Sequence, residues 1–342
     1  MHELTFTGIK SNRTECGIPL GYSRREIITY MEHQDKRTTF RYHMIFGVSY
    51  LISLLPLRFL YVISDLLFIP VYYWVRYRRT VVKDNLSKSF PEKTPDEIRS
   101  IEKKFYHYLC DYFVETVKLT SISPKEMKKR MVFHGIEQVE AACRKDGNRF
   151  AFVFLGHYGN WEWIASLPYW INEEILCAQI YHPLYNKAMD RFFLRLRNHF
   201  GGECIPMKST LRRIINLKRE NRPTVIGFIS DQLPKWESMH FFVPFLHRDT
   251  AVFTGAEQIG KQVKAEYFFA DIKRPRRGYY ECTFKPMEAP REPVTDYDMT
   301  ALFMQMLETM IHENPQYWLW THKRWKRTKE EWLARQMKAK AN

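Results

Sequence analysis

The residues in this chain best suited to do chemistry are His157, Asn160 and Glu162, which follow the apolar run Phe150–Leu155 in the stretch RFAFVFLGHYGNWE. A histidine takes and returns a proton near neutral pH, and a neighbouring carboxylate can fix its tautomer. His157 and Glu162 lie five residues apart, a spacing that does not put them on one face of a regular helix. They meet only if His157 sits in a turn and Glu162 in the first turn of a following helix. The carboxylate would then hold one imidazole nitrogen and leave the other to accept a proton, as in a catalytic triad. The competing reading is a structural histidine at a strand end. A zinc site is disfavoured, because the usual helical pair places two histidines four apart with a glutamate beside the first.

Those side chains need a scaffold. Phe150–Leu155 is short, aromatic and β-branched, so it reads as an interior strand of a sheet. Gly156 and Gly159 permit a tight turn after it, and Asn160 is placed to cap a helix beginning near Trp161. Downstream, strands are expected over 175–181 and 223–229, and helices over 186–200 and 211–220. Two further strands, 263–272 and 278–287, are expected to join through a turn at 273–278. A helix over 299–313 ends at Asn314-Pro315. Alternating strands and helices predict an α/β fold, with a mixed, largely parallel central sheet flanked by helices. Ligands of such sheets bind beyond the carboxyl ends of the strands. Two polar clusters fall there: Tyr181-His182-Pro183 with Asn186, and Ser230-Asp231-Gln232.

The N-terminal half carries a different signal. Residues 44–57 and 66–75 are uncharged runs separated by Arg58 and Asp65, each shorter than the roughly 18 to 20 residues of a clean membrane span. An interfacial helix, a helical pair dipping into one leaflet and a tilted span all fit; a buried helix pair is the alternative. Tyr72, Tyr73 and Trp74, followed by Arg76, Arg78, Arg79 and Lys83, match the aromatic and cationic boundary of a cytoplasmic membrane surface. Proline and acids at 95–97 open a helix to about residue 119. The expected organisation is a loosely ordered polar tail over 1–43, a membrane-associated helical segment over 44–83, an α/β domain over 84–327 and a basic tail over 328–342. Met31, in the first of these, and Met44, which opens the second, are alternative starts expected for the functional protein.

The chain has a formal net charge of +15 and 45% hydrophobic residues, so it folds and seeks an anionic partner. The sequence has no phosphate-binding glycine loop and no nucleic-acid motif, so nucleic acid is not expected as that partner. Its six cysteines are scattered without paired spacing, which argues for a reducing compartment and against a metal knuckle. Tryptophans interleaved with lysine and arginine after residue 317 suit a lipid headgroup region or a phosphate site.

Several pieces then coincide: the apolar segment ending in Tyr-Arg-Arg, GHYGNWEW around His157, the tyrosine–proline cluster with Asn186 and Asp190, Ser230-Asp231-Gln232, and QYWLWTHKRWK from Gln316. Together they resemble the late lipid A (lauroyl/myristoyl) acyltransferases, within the broader lysophospholipid acyltransferases, over roughly 44–327. The resemblance implies transfer of a fatty acyl chain from acyl carrier protein, or from acyl-coenzyme A, to a hydroxyl of an anionic glycolipid, a lipid A precursor. The place implied is the cytoplasmic face of a bacterial inner membrane. It implies no bound cofactor beyond the donor's own phosphopantetheine and no metal. It makes His157 the general base and Glu162 its orienting acid. Asn160, His182, Asn186, Arg197, Asp231, Gln232, His322 and Arg324 become candidate substrate-binding residues. His182 stands where the family commonly has arginine, which leaves a lysophospholipid or aminolipid as an alternative acceptor. A lipid hydrolase and a non-catalytic membrane-binding protein are the remaining alternatives; the absence of a Gly-x-Ser-x-Gly elbow argues against the common hydrolase.

Overall fold

The computed structural model describes residues 24–341 except 146, 289, 291 and 293. Four long helices come first: α1 (Arg24–Ser53), α2 (Leu57–Ile69), which continues as a π turn through Pro70–Trp74, α3 (Arg79–Ser89) and α4 (Pro95–Lys118). Then follow α5 (Pro124–Arg130), β1 (Met131–His134), α6 (Ile136–Arg144) and β2 (Phe150–Leu155). A 3₁₀ stretch, Trp163–Tyr169, leads to β3 (Leu176–Tyr181), α7 (Lys187–Asn198), β4 (Glu203–Pro206), α8 (Thr210–Arg219) and β5 (Thr224–Ile229). The hairpin of β6 (Phe242–Phe245) and β7 (Arg248–Ala251) precedes α9 (Gly255–Val263), β8 (Glu266–Arg276) and β9 (Tyr279–Met287). Last come α10 (Asp298–Glu313) and α11 (Lys329–Ala341).

Seven strands form one sheet in the order β1-β9-β8-β2-β5-β3-β4, parallel at every pair except the β8–β9 hairpin. This is the mixed, largely parallel sheet expected from the alternation. β2 lies inside it between β5 and β8, and all six of its residues are buried, which is why its sequence is apolar without alternation. Proline starts α4, and Thr94 with Glu97 forms a reciprocal cap at its N-terminus.

The structure departs from the sequence reading at several points. Residues 24–43, expected as loose tail, belong to α1, with Tyr42 buried and Arg191 of α7 stacked on it; residues 1–23 lie outside the described ones. The β8 strand runs through Pro275 to Arg276, so the turn is only Arg277-Gly278, made by Gly278 at φ 76°. The basic C-terminal tail, to which the sequence reading assigned no element, is helical from Lys329. In place of the helix expected near Trp161 is the 3₁₀ stretch starting two residues later, with Pro168 inside it.

Residues Leu57–Trp74 form a continuous helical segment that is long and apolar enough to cross a membrane, a third of it buried. One face, Leu57, Leu60, Ser64 and Phe68, packs against the protein, where Ser64 donates to Asp111 of α4 and Phe68 stacks on His107. The other face leaves Phe59, Val62, Leu66 and, beyond them, Trp74 and Val75 exposed, with Val75 70% accessible. A helix with one face docked and one apolar face open is neither of a soluble core nor a free span, and it fits a membrane-associated segment.

Candidate active site

The parallel register of β2 and β5 builds the site. Leu155 pairs with Ile229, so the residues two positions beyond each strand, His157 and Asp231, arrive side by side. His157 Nδ1 lies 2.6 Å from Asp231 Oδ1, and the backbone N–H of His157 donates to Asp231 Oδ2 at 2.8 Å. Trp318 Nε1 donates to the same Oδ2 at 2.9 Å. Burial would raise the Asp231 carboxyl, but the His157 charge, these hydrogen bonds and the indole hold it down at about 2. An ionised carboxylate only accepts, so Nδ1 of His157 carries a proton, and in the neutral imidazole the lone pair is therefore on Nε2. Nε2 is 3.2 Å from the Gln232 amide nitrogen, and the imidazole stays partly accessible.

Glu162 does not orient His157. Its carboxylate, 3% accessible, receives Nε and Nη2 of Arg197 at 2.8 and 2.6 Å, a bidentate pair between the loop and α7. Burial would lower the Arg197 guanidinium; the Glu162 charge and hydrogen bonds raise it. The expected Glu162–His157 contact is not made: Arg197 takes both Glu162 oxygens, and Asp231 takes Nδ1 of His157.

The turn between them is braced from below. Asn160, with no accessible surface, donates from Nδ2 to Glu115 Oε2 at 2.7 Å and accepts from the Trp163 N–H. The helix it was expected to cap is absent, and the 3₁₀ stretch has Glu162 at its N-cap; the Asn160 side chain instead ties the turn together and cannot touch a substrate. Glu115 on α4 also accepts from Tyr280 and, through its other oxygen, from Tyr61 of α2, both at 2.8 Å. Tyr108 donates to the Gly159 carbonyl, and Gly159 adopts φ 55° where a Cβ would strike Ile272. Burial pushes the Glu115 carboxyl up, opposed by Arg274 and reinforced by Asp111. Three converging donors match its ionised form.

The remaining candidates scatter. His182 is exposed, its Nδ1 on the Pro183 carbonyl, and Asn186 caps α7 by accepting from Ala188 and Met189. Neither joins the cluster. His322 does: its Nε2 accepts from the Leu233 N–H at 3.3 Å, and burial pushes its imidazole down to about 4 against the pull of Asp231. Arg324 is wholly buried and donates to the Ala251 carbonyl, so it is no open headgroup contact; burial lowers it to about 10. Trp318 and Trp320 are buried as well, although an interfacial role was expected of the tryptophans here. Sequence reasoning missed the pairing of Asp231 with His157, and Glu115 altogether. A clue to the first was available: both polar clusters follow strand ends.

A narrow apolar cleft adjoins the cluster, walled by Leu155, Trp161, Ile164, Leu167 and Ile229. Trp161 packs edge-on to the His157 ring at 5.2 Å. Among the described residues there is no group of three or more histidine, cysteine, aspartate or glutamate side chains fit to hold a metal ion. The site therefore offers an oriented base whose outer nitrogen is met only by the Gln232 side-chain amide among the described residues, an apolar wall and a rigid loop, a set suited to deprotonating a hydroxyl beside an apolar chain.

Comparison with known proteins agrees with this chemistry. A family model described as bacterial lipid A biosynthesis acyltransferase matches residues 31–327. A Haemophilus influenzae protein named lipid A biosynthesis acyltransferase is 21% identical over 273 residues, covering 79% of this chain and 82% of its own length. With most of its length matched, and with a largely parallel sheet presenting His157 beside an apolar cleft, the chain belongs to the bacterial lipid A biosynthesis acyltransferase family.

Proposed function

We propose that this O-acyltransferase moves a fatty acyl group from a thioester donor to a hydroxyl of a lipid A precursor, with His157 as general base and Asp231 as its orienting acid. The observation that carries the reading is the 2.6 Å His157–Asp231 contact, which turns Nε2, at the carboxyl end of β2, to the side away from the acid, where the Gln232 amide is its 3.2 Å neighbour. Nε2 takes the acceptor's hydroxyl proton as the oxygen attacks the thioester carbonyl. The carbon–sulfur bond then breaks and the imidazolium returns the proton to the leaving thiolate. Asp231 stays ionised throughout, stabilising the imidazolium, as its depressed carboxyl favours. Gln232 marks where the hydroxyl approaches, and the apolar cleft beside Trp161 receives the start of the acyl chain.

The donor we infer is acyl carrier protein, with acyl-coenzyme A the alternative; a net charge of +15 favours an acidic carrier and an anionic glycolipid. No cofactor is proposed beyond the donor's pantetheine arm. The exposed apolar face of α2, followed by Arg76 and Arg78, supports work at the cytoplasmic surface of the inner membrane. Glu162 and Arg197 serve this reading as a brace that fixes the loop to α7.

The test is mass spectrometry of lipids from cells lacking the chain, complemented with wild type or His157→Ala. A lipid A species short of one acyl chain, restored only by wild type, is expected. Restoration by His157→Ala would sink the assigned base; an unchanged lipid A with another lipid altered would sink the acceptor.

A further inference from the structure

The cationic tryptophan segment after residue 317 is not consumed by the reactive site, and a second cavity accounts for it. This cavity, about 570 Å³, lies between α3, β7 and the segment leading into α11. That volume is within the range of small-ligand sites. Its back wall is Trp325, with the Arg248 guanidinium laid flat on the ring, 3.3 Å from the centroid. Arg248 Nη2 is fixed by the Asn85 carbonyl and the Ser89 hydroxyl, while its buried Nε has no partner. Burial lowers this guanidinium to about 10, with only Asp84 pulling the other way, so its charge is under-compensated.

Lys323, Lys326 and Arg327 line the same cavity. Of the acids on its walls, Asp84 is paired with Lys88 and Asp249 with Lys329, at 2.7 and 2.9 Å, which leaves Glu330 against the four cations. Convergent cations around one pre-set guanidinium suit a compact, multiply charged anion better than a single carboxylate. The α3 wall starts at Thr80, shortly after the exposed apolar residues Trp74 and Val75, which sets the cavity at headgroup depth if that apolar face meets a bilayer.

The geometry points to a phosphate-ester site in this cavity, recognised by Arg248 on Trp325 with Lys323, Lys326 and Arg327, and suited to a phosphomonoester lipid headgroup. It is separate from the reactive cluster. Trp318, whose indole nitrogen holds Asp231, stands between, its ring 6.0 Å from that of Trp325. A bound phosphate would therefore brace, from behind, the segment that buttresses Asp231. The inference does not depend on the acyl-transfer reading, since its readout is binding.

The test uses the full chain, glucose 1-phosphate in calorimetry, and phosphatidylcholine vesicles with or without phosphatidic acid in flotation. Variants are Arg248→Gln, the exposed pair Lys323→Glu/Lys326→Glu, and as control Lys208→Glu/Arg212→Glu, exposed cations elsewhere. Unfolding temperatures identify any variant that fails to fold, and the exposed pair keeps the test decisive if Arg248→Gln does. Saturable binding weakened about tenfold or more by the cavity variants, and unmoved by the control, is expected. Competition between glucose 1-phosphate and phosphatidic acid vesicles assigns the lipid as source. Binding of the soluble ester alone keeps the site and assigns a free phosphate. Absence of saturable binding, equal loss in the control, or vesicle binding that the soluble ester cannot compete for would each overturn the site.

Discussion

Asp231 and Glu162 are both almost fully buried carboxylates, each holding a nitrogen group beside the turn after β2, yet their partners differ in kind. Asp231 faces an imidazole that is partly accessible and whose other nitrogen meets only a neutral side-chain amide, that of Gln232. Glu162 faces a guanidinium whose two nitrogens close a bidentate ring and which keeps its proton at any working pH. The first pair can move a proton; the second only fixes a position. The comparison teaches that nearness to a histidine in sequence is a poor guide to which acid serves it.

Breaking the first pair should have the largest effect. Asp231→Asn offers an amide N–H to Nδ1, favouring the tautomer with its proton on Nε2, and His157→Ala removes the base. Each should lower kcat by about 10² to 10⁴, measured by acyl transfer in membranes, with the fold retained by circular dichroism. If Glu162→Gln lost as much kcat as Asp231→Asn while remaining as stable, the division of labour drawn here would be wrong.

Breaking the second pair should act first on stability. Arg197→Ala leaves Glu162 charged and buried, a loss of about 3 to 5 kcal/mol, read from denaturant unfolding. The double variant Glu162→Gln/Arg197→Met removes both charges and should recover a substantial part of that loss.

Between the two lies the strut from α4. Glu115→Gln keeps the shape but turns one of its oxygens into a donor facing tyrosine and asparagine donors. Misplacement of the His157 turn should lower kcat by up to about 100-fold, with KM for the donor little changed. A change confined to KM would count against a positioning role.

The acid response sharpens the contrast. The Asp231 carboxyl sits at about 2 in the folded chain against an ordinary 3.8, so its stabilisation is complete above about 4 and is lost as pH falls towards 2. The stability difference between wild type and Asp231→Asn should shrink across that window in unfolding measurements. The smallest effect is expected at the cleft. Gly227→Val, whose new side chain would meet Leu155, should disfavour longer acyl donors by a few fold in a competition assay, about the worth of one or two methylenes.

Much of this was open to reading from residue order. The short, all-apolar, aromatic Phe150–Leu155 favoured an interior strand over a helix, and the glycines at 156 and 159 permitted a turn there, because composition and backbone freedom are local properties. The amphipathic α4 and its opening at Pro95 were legible for the same reason. Local rules failed where two solutions compete over a few residues. Pro275 sits inside β8 instead of in the turn, and a 3₁₀ stretch replaced the helix after Asn160. Asn160, Asn186 and Arg324 were legible as polar residues near strand ends or in a basic segment. Whether each faces substrate or backbone was not, because that depends on what packs above it.

The chain's order by itself determined that a histidine would stand in a turn after a buried strand, that an apolar, cation-flanked helical segment would precede it, and that strand and helix would alternate afterwards. All three follow from hydrophobic periodicity and glycine placement. Only the tertiary structure decided which acid serves His157. Asp231 lies on another strand, and only the parallel register pairing Leu155 with Ile229 brings it within 2.6 Å of the imidazole, while Arg197 of α7 claims the nearer Glu162.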